Sequence, residues 1–285
     1  MSRNRSAGNW HRWFLVPTGV VLVLTAVMPF VYTLAISLGR PSGPGDESYS
    51  ALLTSASFYH AVVVEVIFVV GSVVVEVVLG VAVAHVLNLA GRVTGFVRGV
   101  VLGPTMLPTI VVALVFSYML QSGTGVVSYL LRFGGFHQAW LDNGPTALAV
   151  LVGIDAWQFT PFVALLVLAG LQGIPRDTIE AGQVDGAGWY RLYRHITLPQ
   201  LMPVIVAAGL LRFIDAIQVF PTIYVLTNGG PGTSTSALNF YGYEQYFQFH
   251  HKTAGAAIAV ILMVATIAVA LGLSMTARLG GGRGR

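Results

Sequence analysis

The sequence predicts an all-α integral membrane protein with six transmembrane helices and a cytoplasmic helix–turn–helix between helices 4 and 5. Three observations carry this. The 285 residues are 55% hydrophobic and 9% charged, with a mean hydropathy of +0.76, far from the average for soluble domains. Six segments reach the ~20 apolar residues that a bilayer core requires. The arginines fall on one side when ends and loops are numbered alternately. That side holds Arg3, Arg5, Arg12, Arg92, Arg98, Arg176, Arg191, Arg194, Arg278, Arg283 and Arg285, against Arg40, Arg132 and Lys252 on the other. By the positive-inside rule both termini face the cytoplasm.

The first span, 14–38, is too long for a signal-peptide core, and Trp10 and Trp13 precede it as an interfacial belt would. The second, 58–87, carries Glu65 and Glu76, which eleven residues at about 100° each return to nearly one face. They either face protein neighbours and the interfaces, the simpler reading, or belong to a proton relay, for which no chain of partners is visible. In the third span, 96–120, Gly103, Pro104 and Pro108 interrupt the helix. This suits a segment beside a pathway and equally a plain kink. The loop after it contains an apolar run, 126–131, placed along the outer surface.

The fourth span, 146–171, sets Asp155, Trp157 and Gln158 just before Pro161. The fifth, 201–226, has Arg212 and Asp215 three apart, able to pair on one helix face, with Gln218 extending the region. A charged pair at that depth must face the bundle interior or a wet cavity. An interhelix clamp is the preferred reading and a substrate-facing role the second. The segment 227–252 is rich in turn residues around Pro231. Its aromatics, Phe240, Tyr241, Tyr243, Tyr246, Phe247 and Phe249, read as an interface belt in preference to a sugar contact. His250 and His251 are adjacent and would point to different helix faces, which argues against a metal site. The sixth span is 254–279, and the tail GGGRGR is expected to be disordered. The chain is read as a single domain, 1–285.

Between spans 4 and 5 lies 174–199, IPRDTIEAGQVDGAGWYRLYRHITLP, a charged island in an uncharged chain. Pro175 suits a first helical position, and Asp177 and Glu180 lie near the positive end of the dipole. Gly182, Gly186 and Gly188 favour a bend. Trp189, Leu192, Tyr193 and Ile196 then define one apolar face of a second helix, which Pro199 should limit. That face needs a cover.

Enzymatic chemistry finds no support. There is no phosphate-cradling G-x-x-x-x-G-K-[ST], the only lysine being Lys252. H-E-x-x-H and G-x-S-x-G are also missing. Cysteine is absent, which excludes a disulfide framework and thiolate metal sites. The net charge of +4 comes from scattered residues without an aromatic–basic stripe, so nucleic acid is not the partner. What remains is a membrane pathway without its own energy source.

The island resembles the EAA motif of permease subunits of binding-protein-dependent ABC importers. Glu180, Ala181, Asp185, Gly186, Ala187, Ile196, Leu198 and Pro199 fall in register, and Gly182 replaces the second alanine, where it is expected to loosen the first helix. WQFTPF (157–162), AGLQGIP (169–175) and YVLTNGGP (224–231) are similar to the maltose-permease-like sugar group. Phe220–Pro221 stands where that group often has phenylalanine–aspartate, so no substrate contact carries over there. The resemblance implies a coupling helix seated in a groove of a separate ATPase, its face of Trp189, Leu192 and Ile196 covered there, Glu180 at the rim and Gly186 as the bend. It also implies an inner-membrane location, two ATPase copies that use ATP and Mg²⁺, a second permease, an extracytoplasmic solute-binding protein and a carbohydrate substrate (sugar, disaccharide or polyol phosphate). No cofactor is bound by this chain. Asp155, Trp157, Gln158, Arg212, Asp215 and Gln218 are the candidate pathway residues. The competing reading is a self-contained, ion-coupled secondary transporter using Glu65, Glu76, Asp155, Arg212 and Asp215, which leaves the EAA-like loop unexplained.

Overall fold

A computed structural model describes residues 10–40, 43, 45–89, 99–133 and 140–281. Arg3, Arg5, Arg92, Arg98, Arg283, Arg285, residues 96–98 of the expected third span and the last four residues of the tail lie outside the described residues, as do the side chains of Trp10 and Trp13. All regular structure among the described residues is helical. In chain order the helices are α1 (Val16–Ser37), α2 (Ala56–Leu89), α3 (Gly99–Met106), α4 (Thr109–Met119), α5 (Val126–Phe133), α6 (Gly144–Gln172), α7 (Arg176–Val184), α8 (Trp189–Ala216), α9 (Phe220–Leu226), α10 (Leu238–Tyr243) and α11 (Lys252–Gly281). Five of them, α1, α2, α6, α8 and α11, contain stretches long and apolar enough to cross a bilayer, and α3 with α4 makes a sixth, bent by 96° at its break.

The chain divides into two compact units, one of Met1–Ser55 with Gly242–Met263, the other of Ala56–Tyr241 with Val264–Arg285. In the first, the Asp46 carboxylate accepts hydrogen bonds from the Ala254 (2.9 Å) and Thr253 (3.4 Å) amides. It thereby satisfies orphan donors at the start of α11. Tyr49 Oη donates to Ser37 Oγ at 2.9 Å, tying the residues after α1 back to its end.

In the second unit α2 packs along α6, and α8 crosses both. Lipid offers no hydrophobic drive between helices, so close approach of small residues holds them. Gly80 is the tightest point: a Cβ there would stand 2.6 Å from Val163 Cγ1 and 3.2 Å from the Ala164 backbone nitrogen. Ala84, Leu87, Val163, Val167, Leu168 and Ala208 form the buried cluster beside it.

Two expected spans are broken. Between α3 and α4, Leu107 is extended (φ −83°, ψ 136°), as the residue before a proline prefers. The expected fifth span, 201–226, is also two helices, α8 and α9, because Pro221 has no N–H to offer the Ile217 carbonyl. Each break is closed by a distant amide side chain: Gln158 Nε2 donates to Leu107 O (3.0 Å) and Asn239 Nδ2 to Ile217 O (2.8 Å). The halves beyond the breaks, α4 and α9, pack together.

Pro199 does not stop its helix. The turn Tyr193–Thr197 is widened to π geometry, with the Leu198 amide bonded to Tyr193 O. Such a turn absorbs the missing donor and the ring, and α8 runs on to Ala216. The segment 227–252 is likewise not all loop. It forms α10 and a π turn at Glu244–Gln248. Phe240 there is buried and stacks on Phe220 at 6.0 Å, and Gly229, at φ +81°, gives it room. Phe240 is therefore a core residue, neither belt nor sugar contact, whereas Phe247 and Phe249 are exposed.

Candidate functional site

The most concentrated polar chemistry lies where α2, α6 and α8 meet. Arg212 is 1% exposed and Glu76 0%. Their contact is bidentate, with Nε to Oε2 at 2.6 Å and Nη2 to Oε1 at 2.9 Å, the fork geometry that makes arginine pairs strong. Nη2 also reaches Asp155 Oδ2 at 3.1 Å, Nη1 donates to Asp215 Oδ2, and the guanidinium sits 3.9 Å from the centroid of the Phe159 ring. One cation therefore holds three carboxylates from three helices. The Arg212–Asp215 pairing expected from the i, i+3 spacing is present. Glu76 and Phe159 are additions that no local spacing could reveal. Glu65 is buried too, facing the backbone amides of Leu238 and Asn239.

The six candidate pathway residues separate by burial. Asp155, Gln158 and Arg212 are buried and committed to protein partners. Trp157, Asp215 and Gln218 are exposed. Trp157 meets Phe116 of α4 edge to face at 5.4 Å, and Gln218 lies in the break between α8 and α9. Gln158, a candidate pathway residue, clasps the Leu107 carbonyl. Gln158→Leu, which strands that carbonyl at membrane depth, is expected to cost about 1–3 kcal/mol. A thermal unfolding midpoint in detergent lowered relative to wild type checks this, with Gln158→Met, which keeps the length and has no donor, behaving alike.

The helix–turn–helix consists of α7 and the start of α8. Pro175 sits one residue before the first helical position, Arg176, and Asp177 lies in the first turn. The bend is at Gly186, φ +75°, a region where a Cβ is strained. The Ala187 amide closes the end of α7 on Gly182 O at 3.0 Å. Glu180, Ala181, Asp185 and Gly186 are exposed, Ala187, Ile196 and Leu198 half-buried, and Pro199 exposed.

Two expectations are corrected here. Leu192 is buried within the chain, and a Cβ on Gly182 would meet Leu192 Cδ2 at 2.6 Å and Ile196 Cδ1 at 2.9 Å. That part of the apolar face is covered by α7 itself. Gly182 accordingly does not loosen α7, which continues to Val184; it makes room for the second helix. The apolar surface left open is Val184 (87% exposed), Trp189 (76%) and Tyr190 (69%).

Residues 76–277 match the family described as binding-protein-dependent transport system inner membrane component. The chain belongs to this family. The permease is 35% identical over 258 residues to the trehalose/maltose transport system permease protein MalF of Thermococcus litoralis, covering 88% of this chain and 87% of that one. It is 35% identical over 267 residues to a probable ABC transporter permease protein, y4oQ, of Sinorhizobium fredii, covering 90% and 86%. Its fold is that of a chain in the crystal structure of a bacterial alginate ABC transporter in complex with an alginate pentasaccharide-bound periplasmic protein. The TM-score is 0.82 at 20% identity, over 95% of this permease and 96% of that chain. These relatives are transporter components and not enzymes.

Proposed function

We propose that the permease forms the translocation pathway of an ABC importer for a carbohydrate, driven by ATP hydrolysis in a separate subunit. One observation carries the reading: α8 is a continuous helix from the exposed Trp189 and Tyr190 to Arg212, about 35 Å counted along its axis. A push on the α7–α8 turn then reaches the charged cluster along one helix. In this scheme Val184, Trp189 and Tyr190 seat in a groove of the ATPase. Glu180 and Asp185 make charged contacts at the rim, and Ala181, Gly186 and Ala187 keep the bend narrow. Leu192 and Ile196 hold α7 to α8 at Gly182, and the π turn at Tyr193–Thr197 carries the helix on through Leu198 and Pro199.

The exposed Trp157, Asp215 and Gln218 face the sugar, one with an apolar ring and two with hydrogen-bond partners, the mixture that a ligand site needs. Asp155, Gln158 and Arg212 position them. The names of the relatives, trehalose/maltose for one and sulfoquinovosyl glycerol for another, support a carbohydrate. ATP and Mg²⁺ belong to the partner ATPase. A second permease and an extracytoplasmic binding protein complete the assembly, and the chain acts as one transmembrane domain of the inner membrane with both termini in the cytoplasm. Purifying the tagged permease from its native membrane tests this. An ATPase subunit should co-purify, and binding protein loaded with sugar should stimulate its hydrolysis; a permease that transports without any associated ATPase overturns the reading.

A further inference from the structure

Three rings lie in series between the exposed tip of the α7–α8 turn and α2. Trp189, 76% exposed, stacks on Tyr193 with centroids 5.9 Å apart and planes 9° from parallel. Tyr193 in turn meets His85 of α2 edge to face, at 5.1 Å and 73°. The His85 ring is held in place by its Nδ1–H, which donates to Val81 O at 2.7 Å. Nε2 is buried without a hydrogen-bond partner among the described residues, so the ring contributes shape and contact there. Tyr193 is also the first residue of the π turn that carries α8 past Pro199. Its backbone is therefore where the helix is least regular, and its side chain is clamped between two other rings.

We propose that Trp189, Tyr193 and His85 form an aromatic strut that transmits movement of the α7–α8 turn directly into α2. The proposal rests on the coupling role assigned above. Its consequence is mechanical. α2 is tied to α8 at two separated places, by Tyr193–His85 and by Arg212–Glu76, so the two helices are displaced as one body even though the helix between those places contains a π turn and Pro203. Aromatic contacts of this kind stabilise beyond their packing, and residues along a coupling route modulate it without touching either ligand. His85 and Tyr193 are thus positioning residues, acting on the pathway through α2.

The test uses the assembled importer in lipid nanodiscs. His85→Ala should keep the co-purifying ATPase and its basal hydrolysis, while the hydrolysis stimulated by sugar-loaded binding protein falls about 5-fold. Tyr193→Ala should lower the stimulated-to-basal ratio similarly, and the double variant should fall no further, since both changes cut one connection. His85→Phe, which retains an aromatic edge, should restore most of the stimulation, and His85→Leu, of similar bulk, should not. Losses that multiply in the double variant, or a His85→Leu as active as His85→Phe, overturn the strut. Should wild type itself bring down no ATPase, the functional reading fails first. The strut's geometry is then still measured: the chain has no cysteine, so a His85→Cys, Tyr193→Cys pair should cross-link efficiently with a short bismaleimide in native membranes. Absence of that cross-link also overturns it.

Discussion

Arg212→Met is expected to be the most damaging single substitution in the membrane region. Arg212 is the common partner of Glu76 and Asp155, both buried. Methionine fills the space but leaves two carboxylates facing each other where water cannot reach them. Breaking a buried pair by removing one partner costs about 3–5 kcal/mol, a large share of a typical folding free energy. The fraction of monodisperse protein and the thermal midpoint in detergent should both fall sharply. Asp215 has a side chain 53% exposed, and its contribution is screened accordingly. Asp215→Asn should stay within about 1 kcal/mol of wild type while still altering substrate affinity. Adding Glu76→Gln and Asp155→Asn to Arg212→Met should recover part of the stability, because the uncompensated charges are then gone. An Arg212→Met protein as stable as wild type would contradict the clamp.

Gly186→Pro is expected to uncouple the permease without preventing its insertion. Gly186 has φ +75° and its amide donates to Gln183 O at 3.0 Å. Proline is fixed near −65° and has no N–H, so the turn between α7 and α8 cannot keep its shape. Stimulated hydrolysis and uptake should drop to background, at least 10-fold, with the protein still monodisperse. Gly186→Ala separates the causes. No atom beyond its two chain neighbours lies within 4 Å of where its Cβ would be, so alanine costs only the left-handed backbone strain of about 1–2 kcal/mol. It should lose part of the coupling. Wild-type uptake in Gly186→Pro would remove the turn from the mechanism.

The apolar spans were legible because a bilayer imposes one length on every helix that crosses it, and four of the six expected spans, the first, second, fourth and sixth, fall on continuous helices. The Gly186 bend was legible for a similarly local reason, the glycine spacing. What escaped the sequence was long-range. Pro108 announces a break, but nothing near it says that Gln158, 51 residues beyond Leu107, donates to the Leu107 carbonyl, nor that Asn239 does so for Ile217. Local rules read Pro199 as a stop, and a π turn removes the conflict. In the charged cluster the i, i+3 partner Asp215 was visible, whereas Glu76, 136 residues away, has only its sign to recommend it. The apolar face of the second helix was found correctly as a face. Its cover reads from sequence as wholly a partner's, because the room that Gly182 gives Leu192 and Ile196 is a matter of tertiary packing.

In the proposed function this permease moves a carbohydrate only when a partner hydrolyses ATP, with α8 carrying the motion to the pathway. Uptake of labelled sugar into proteoliposomes containing the co-purified complex and external binding protein measures it most directly. Uptake should require ATP on the α7–α8 side, stop with Glu180→Ala or Gly186→Pro, and be indifferent to an imposed proton or sodium gradient. Uptake by the permease alone, driven by such a gradient without ATP, would contradict the claim and make the buried carboxylates Glu65, Glu76 and Asp155 an ion path instead.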